Sequence, residues 1–184
     1  MSQKYAAYNT SGAIVGFYDD VDSPVPKGVS AIEITDTEWQ TCLSTPGYTV
    51  VNGALVPPAP PTSAQLLAQA KAAQVAKLTA GCSAAITAGF TSSALGSAAT
   101  YPSSPTDQAN QHTVAQCTSG GLLWCEASGA WALKQHTQAQ AQAVVSDFGV
   151  WLNKCQQQLV SLTADVNAAT TVSAAQAVSW TNPT

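Results

Sequence analysis

The sequence predicts an α+β protein with a small β-rich N-terminal module, a proline-rich linker and a C-terminal module of two long helices with short β-hairpins. Short apolar runs separated by Gly, Asn and Pro fill the first 56 residues, four prolines follow within residues 57–61, and the remainder is rich in Ala and Gln. Turn residues between short apolar runs are typical of hairpins, whereas Ala and Gln favour helix. We therefore predict modules at residues 1–56 and 63–184, joined by a linker at residues 57–62.

The N-terminal module is predicted to open with a hairpin and to continue through a strand into a short helix. Two apolar runs within residues 5–18 flank a turn-forming Asn-Thr-Ser-Gly segment. Residues 29–34 alternate apolar and polar side chains, which indicates a third strand. Thr35 and Glu38 then have the spacing of a capping box, which predicts that a helix begins there.

A second hairpin and the linker complete the first part of the chain. Asn52-Gly53 separates two apolar runs within residues 48–56, and both central residues of such a turn need a positive φ, which Asn and Gly tolerate best. The prolines of residues 57–61 favour polyproline II structure over helix or central strand. This stretch is therefore the predicted boundary between the two modules.

The C-terminal module is predicted to alternate helices with hairpins. A hairpin over residues 122–133 would place Trp124 and Trp131 on one face of its sheet. In chain order the prediction is a helix over residues 63–88, a hairpin over residues 90–101, a short polar helix ending near residue 120, the hairpin over residues 122–133, a long helix over residues 137–169 and a last helical turn or two over residues 172–180.

Large apolar residues recur along the long helix at alternating steps of three and four, the heptad pattern of a coiled coil. We call this set the seam, and it is the candidate interface: Val145, Phe148, Leu152, Cys155, Leu159, Leu162 and Val166. The residues between them include Asp147, Asn153, Lys154 and Gln156 to Gln158. We therefore expect the far side of the helix to face solvent and the seam to be covered. The cover is either the helix over residues 63–88, folded back antiparallel, or the same helix of a second subunit in a homo-oligomer.

The composition leaves few groups for recognising charged partners. Only 9% of the residues are charged, and all six basic residues are Lys. Because nucleic acid binding depends on clustered Lys and Arg, we expect no nucleic acid partner. No run of the sequence approaches the length of a membrane span, so we expect no membrane partner. The N-terminus lacks the apolar stretch of a secretory signal, which favours the cytoplasm.

We expect no catalytic residues, no cofactor and no metal site. The four residues that suggest zinc (His112, Cys117, Cys125 and His136) lack the close pairs of structural zinc sites. The acidic residues within 19–22 lack the Gly and Glu of a calcium loop. The sequence contains no nucleophile elbow, P-loop or dinucleotide-binding fingerprint. The five scattered Cys residues are expected to be free thiols in a reducing compartment.

Residues 5–62 resemble the N-terminal module of the tail fibre assembly proteins of bacteriophages and prophages. The resemblance is carried by the segments YNTSGAIVGFYD, IEITDTEW and GALVPP. It implies a chaperone that binds a tail fibre or another tail protein without covalent chemistry, in the host cytoplasm during assembly.

The second part of the chain is similar to a domain of unknown function found on phage tail proteins. The similarity is carried by GFTSSALG at residues 89–96, DQAN at residues 107–110, the Gly-to-Trp hairpin at residues 121–131 and TVSAAQAVSW at residues 171–180. It implies no catalytic residues. The alternative function is a structural virion component, retained in the tail or at the fibre tip and in contact with a host receptor.

Overall fold

The computed structural model describes residues 2–184 and shows a mixed α+β chain. The chain divides into two compact units, Met1–Pro61 and Thr62–Thr184. Each unit has its own set of buried side chains.

The first unit combines a three-stranded antiparallel sheet, one helix and a separate hairpin. The elements of this unit are β1 (Lys4–Tyr8), β2 (Ile14–Asp19), β3 (Ala31–Ile34), α1 (Asp36–Ser44), β4 (Thr49–Val51) and β5 (Ala54–Val56). The sheet has the strand order β2-β1-β3, and β4 pairs with β5 in the hairpin of this unit. Its buried apolar residues are small, which matches a unit of this size: Ala6, Ala7, Ile34, Cys42 and Val50.

The capping box and the Asn-Gly turn that the sequence predicts are both present in this unit. The Thr35 side chain accepts a hydrogen bond from the Glu38 backbone N–H, and the Glu38 carboxylate accepts one from the Thr35 N–H, so the capping box is confirmed. Asn52 and Gly53 have φ values of 52° and 79°, as the predicted turn requires. Lys4 Nζ lies 3.5 Å from an Asp19 carboxylate oxygen and joins the first two strands.

The second unit contains a four-stranded antiparallel sheet and four helices among the described residues. The elements are α2 (Ser63–Thr87), β6 (Phe90–Ser92), β7 (Ala99–Tyr101), α3 (Pro105–Gln116), β8 (Gly121–Ala127), β9 (Ala130–His136), α4 (Gln138–Ala168) and α5 (Val172–Ala177). The strand order is β6-β7-β8-β9, so β6 and β9 are the edge strands.

Helices α2 and α4 lie side by side with opposite chain directions. Near one end Lys71 Nζ donates to the Asn167 carbonyl at 2.7 Å, and towards the other Trp151 Nε1 donates to the Ala85 carbonyl at 3.2 Å. Between these bonds Leu78 of α2 packs with Val166 of α4 and with residues of α5 in a buried cluster. Helix α4 is therefore covered along this part of its length by the chain's own helices.

The beginning of α4 covers one face of the sheet instead. Phe148 packs on Phe90 of β6 with ring centroids 5.3 Å apart, and Phe90 stacks on Tyr101 of β7 at 5.8 Å. Cys125 of β8 and Val144 of α4 complete this cluster. One face of the sheet therefore lies in the core of the unit. Along its length, α4 first contacts the sheet and then contacts α2 and α5.

Four elements are shorter than the sequence predicts. Helix α3 ends at Gln116, not near residue 120, because the extended Cys117 stops it and Gly120, with φ of 68°, turns the chain into β8. Strands β6 and β7 have three residues each. Helix α5 ends at Ala177, and beyond it Trp180 lies against α2 at Gly81, where there is space because glycine has no Cβ.

Within residues 2–184, no helix has both the length and the apolar character required to cross a membrane.

Candidate functional site

Most of the seam is in contact with the rest of its own unit. Six of its seven residues join clusters of buried side chains: Val145, Phe148, Cys155, Leu159, Leu162 and Val166. Leu152 is half-buried and joins none of these clusters. A partner that bound this side of α4 would have to displace the sheet, α2 or α5.

The buried side of α4 differs from the seam at the start of the helix. Ala141 and Val144 are fully buried there, whereas Val145 is only half-buried. The reason is a change of neighbour. The first turns of α4 pack against α3 and the sheet, and only the later turns pack against α2, so the buried stripe does not follow one heptad pattern.

A different surface is apolar and exposed. Four large side chains project from the outer side of the β8–β9 hairpin, and we call them the hairpin face: Leu122, Trp124, Trp131 and Leu133. They are 48% to 55% exposed. In the register of the two strands Trp124 lies opposite Leu133, and Trp131 lies opposite Glu126, so the four side chains are neighbours on one side of the sheet.

The hairpin face is a contiguous apolar patch rather than scattered surface residues. With each Trp and Leu about half exposed, the patch has an exposed area on the order of 400 Å². That size falls within the range of the largest patches of monomeric proteins, which are often functional. Isolated exposed apolar residues need no such explanation.

A cleft lies between helix α3 and the hairpin face. Its volume is about 260 Å³, and its apolar lining includes Val114 of α3 with Leu122, Trp124 and Leu133 of the hairpin. Polar side chains of α3, among them Asn110 and Gln111, also line the cleft. The cleft has room for a large side chain of a partner and adds a concave feature to an otherwise flat patch.

The inner side of the same hairpin is buried and holds the hairpin in place. Leu123 and Cys125 of β8 and His136 of β9 are almost inaccessible to solvent. His136 Nδ1 lies 2.8 Å from the Lys134 carbonyl, an acceptor, so Nδ1 carries the proton. In the neutral ring Nε2 therefore accepts the Tyr101 hydroxyl, 2.8 Å away. This bond connects β9 to β7 beneath the exposed patch.

Tyr101→Phe is expected to destabilise the second unit by about 1–3 kcal/mol, because His136 Nε2 would stay buried without a donor. Chemical denaturation followed by circular dichroism measures the change. Tyr18→Phe is the control, because the Tyr18 hydroxyl makes no hydrogen bond to the described residues. An unchanged denaturation midpoint for Tyr101→Phe would show that the bond contributes nothing.

The same substitution is expected to change the stability at alkaline pH. Burial raises the pKa of Tyr101 to about 12, whereas an unfolded tyrosine titrates near pH 10. Above pH 10 the unfolded chain therefore loses this proton first, and stability decreases as the pH rises from about 10 to about 12. Tyr101→Phe should lose less stability than the wild type over this interval in the same denaturation measurement.

A second, more polar cleft lies between β6 and α4, with a volume of about 690 Å³. Several of its polar side chains have hydrogen-bond partners within the chain. The Ser92 hydroxyl donates to Asp147 at 2.6 Å and accepts from the Ala94 N–H, and Lys154 Nζ donates to the Thr184 carbonyl oxygen at 3.1 Å. These bonds organise the wall of the cleft.

The structure does not bring the four candidate zinc ligands together. Within residues 2–184 no three His, Cys, Asp or Glu side chains come close enough to hold a metal ion. His112 and Cys117 are exposed, whereas Cys125 and His136 are buried in the sheet. In the acidic turn, Asp19 accepts backbone N–H bonds from Val21 and Asp22, and these bonds lower its pKa.

The buried thiols are poor nucleophiles. Burial raises the pKa of Cys42, Cys82 and Cys155, which keeps them protonated at neutral pH. All five cysteines are free, and Cys117 is the exposed one among them. The four buried thiols therefore act as small apolar core residues.

A family model described as a domain of unknown function (DUF4376) matches residues 69–179. This range is more than half of the chain. The chain belongs to the DUF4376 family. The DUF4376 range contains the hairpin face, the cleft beside it and the whole seam, whereas the first unit lies outside it. No curated protein and no solved structure matches the chain.

The candidate site in the DUF4376 domain is therefore not the one that the heptad pattern indicated. The sequence placed Trp124 and Trp131 on one face but did not indicate whether that face was buried. Both sides of the hairpin are apolar, since Leu123 and Cys125 alternate with Leu122 and Trp124. The one signal in the sequence was that strand β8 is apolar on both sides, with Leu122 and Trp124 on one side and Leu123 and Cys125 on the other.

Proposed function

We propose that this chain is a tail fibre assembly protein of a bacteriophage or prophage, a chaperone that binds a tail fibre or a neighbouring tail protein without covalent chemistry. The observation that carries this proposal is the hairpin face, a patch of two Trp and two Leu side chains about half exposed. The N-terminal sequence resemblance supplies the class of partner. In this proposal the prolines of residues 57–61 link a fibre-assembly-like module to a helical module that binds.

The chemistry of the hairpin face supports binding rather than turnover. Trp is among the residues that contribute most to protein interfaces, since it buries a large area with few rotatable bonds. The adjoining cleft lies at the edge of the patch and gives a partner side chain a defined place. An assembly chaperone needs this kind of surface, because it covers apolar residues of a fibre until its subunits associate.

Trp124→Ser combined with Trp131→Ser is expected to weaken binding of the partner tail fibre protein strongly. The two side chains supply roughly half of the exposed apolar area of the hairpin face, and central Trp residues often contribute 2 kcal/mol or more each, so about a thousandfold loss of affinity is expected. Co-expression with the tagged fibre protein, affinity purification and titration calorimetry measure it.

The matched control is Leu66→Ser, which removes an exposed apolar side chain of comparable accessibility from α2. This variant should bind like the wild type, and circular dichroism should show that every variant keeps the wild-type fold. A wild-type chain that does not retain the fibre protein, or a double Trp variant that still does, contradicts the proposal.

Purified virions distinguish the assembly chaperone from the alternative of a structural component of the tail or fibre tip, in contact with a host receptor. A chaperone acts in the host cytoplasm and leaves the finished particle. Quantitative mass spectrometry should therefore find no stoichiometric amount of this chain in virions. A fixed ratio to the fibre protein would favour the structural component.

A further inference from the structure

Strand β9 has an open edge along its outer side. It pairs with β8 only, and the hairpin turn consists of Ser128 and Gly129, so Ala127 and Ala130 form the pair that closes the turn. In such a hairpin the residues that exchange hydrogen bonds alternate with residues whose backbone groups face outwards. The outward-facing residues of β9 are Trp131, Leu133 and Gln135. Their backbone groups bond to no other part of residues 2–184.

This edge lacks most of the features that usually prevent strand pairing, and the exception is one inward-pointing charge, Lys134. Natural edge strands are short, bulged, charged or interrupted by proline. Strand β9 has seven residues, contains no proline and keeps an unbroken register with β8. Its charged residue, Lys134, is half-buried on the inner side of the hairpin, away from the hairpin face. The edge is therefore suited to accept another strand.

We propose that β9 accepts an extended segment of the partner protein as a fifth, antiparallel strand, with apolar side chains at every second position on the side of the hairpin face. This inference rests on the proposed function, since the segment belongs to the tail protein that the chain binds. The antiparallel direction follows the other strands of this sheet. Backbone bonds at the edge and apolar contacts on the hairpin face then act on the same ligand.

The geometry of strand pairing favours a different protein over a second copy of this chain. Pairing of β9 with β9 of a second copy would leave both hairpin faces uncovered, because side chains stay on their own side of the joined sheet. A partner segment leads into further chain, and that chain is free to cover the patch.

The charge on the hairpin face favours a segment with a basic residue. Glu126 lies opposite Trp131 on this face and forms no ion pair with the described residues. Neighbouring strands lie about 4.8 Å apart, so a strand added to β9 lies roughly 10 Å from β8. A Lys or Arg beside Trp131 would cover the indole ring and extend towards Glu126. The partner segment is therefore an alternating apolar strand with a Lys or Arg.

The test uses the full chain and a capped peptide with Val at every second position, Thr between them and Lys at both ends. We expect nuclear magnetic resonance to show slower hydrogen exchange at the amides of Trp131, Leu133 and Gln135 when the peptide binds. N-methylation of the Val amides, which would face β9, should weaken binding at least about tenfold. N-methylation of the Thr amides should not, because these point away from β9.

Gln135→Pro removes an edge N–H from the protein, as N-methylation removes one from the peptide. Proline removes an outward N–H from the edge but no bond to β8, and it leaves the hairpin face intact. This variant should keep the wild-type denaturation midpoint and bind both the peptide and the fibre protein at least about tenfold more weakly, whereas Gln135→Thr should bind both normally. If Gln135→Pro binds the fibre protein normally while the double Trp variant does not, strand addition is wrong and the proposed function stands.

Three further outcomes overturn the inference. The first is absence of peptide binding at millimolar concentration. The second is equal weakening by both N-methylated peptides, or protection at amides other than those of the β9 edge. The third is protection of the same three amides without peptide, at concentrations where light scattering shows a dimer, since a second copy would then be the occupant.

Discussion

Val166→Asp is expected to unfold the second unit. Val166 is completely buried in the cluster that joins α4 to Leu78 of α2 and Ala175 of α5. A carboxylate there has no partner, and burying an unpaired charge costs several kcal/mol, which is comparable with the whole stability of a small domain. Circular dichroism should show the loss of most of the helical signal, and size exclusion should show an expanded or aggregated chain.

Val160→Asp is the control for this substitution. Val160 lies on the same helix but is 71% exposed, so the same new charge should change the free energy of unfolding by no more than about 0.5 kcal/mol. If Val166→Asp instead yields a folded monomer from a wild-type oligomer, the seam is covered by a second subunit and the assignment of this cluster to one chain is wrong.

Gly120→Ala is expected to cost about 3 kcal/mol or more. A Cβ at Gly120 would lie 2.0 Å from the His136 carbonyl oxygen and 2.9 Å from backbone atoms of Thr137. Backbone cannot move aside as a flexible side chain does, and the positive φ of 68° adds about 1–2 kcal/mol of strain. The substitution would displace the end of β9 and with it the His136–Tyr101 bond beneath the hairpin face. Thermal denaturation measures the loss.

Gly129→Ala separates the strain from the collision. Gly129 also has a positive φ, 80°, but nothing lies within 4 Å of its missing Cβ. This variant should lose only the strain, about 1–2 kcal/mol. If both variants lose the same free energy of unfolding, the close approach of Gly120 to β9 does not contribute to the cost.

Local elements of this chain were predictable because their causes lie within a few residues. A capping box acts over three residues, and here Thr35–Glu38, Thr62–Gln65 and Ser104–Asp107 all begin helices. The turn at Asn52-Gly53 needs only its own two positive φ values. Caps and turns of this kind form the same local structure in most tertiary contexts. The sequence therefore predicted the ends of these elements to within a few residues.

The candidate site was less predictable because it depends on which apolar surface remains uncovered. The heptad pattern of α4 indicated an interface, yet six of its seven residues pack within the unit. The hairpin has apolar residues on both sides, and α4 covers only the side with Cys125. Alternation along a strand shows which residues share a side and does not show which side a helix will cover.

By itself, the sequence determined the alternation of hairpins and helices, the helix caps and turns, and the scarcity of charged groups that makes binding a better hypothesis than catalysis. Only the tertiary structure decided that the seam is internal and that Leu122, Trp124, Trp131 and Leu133 are exposed beside an open strand edge. The physical reason is that burial depends on contacts between residues far apart in the chain. A local pattern records which side chains are apolar, whereas the packing of distant elements determines which of them reach solvent.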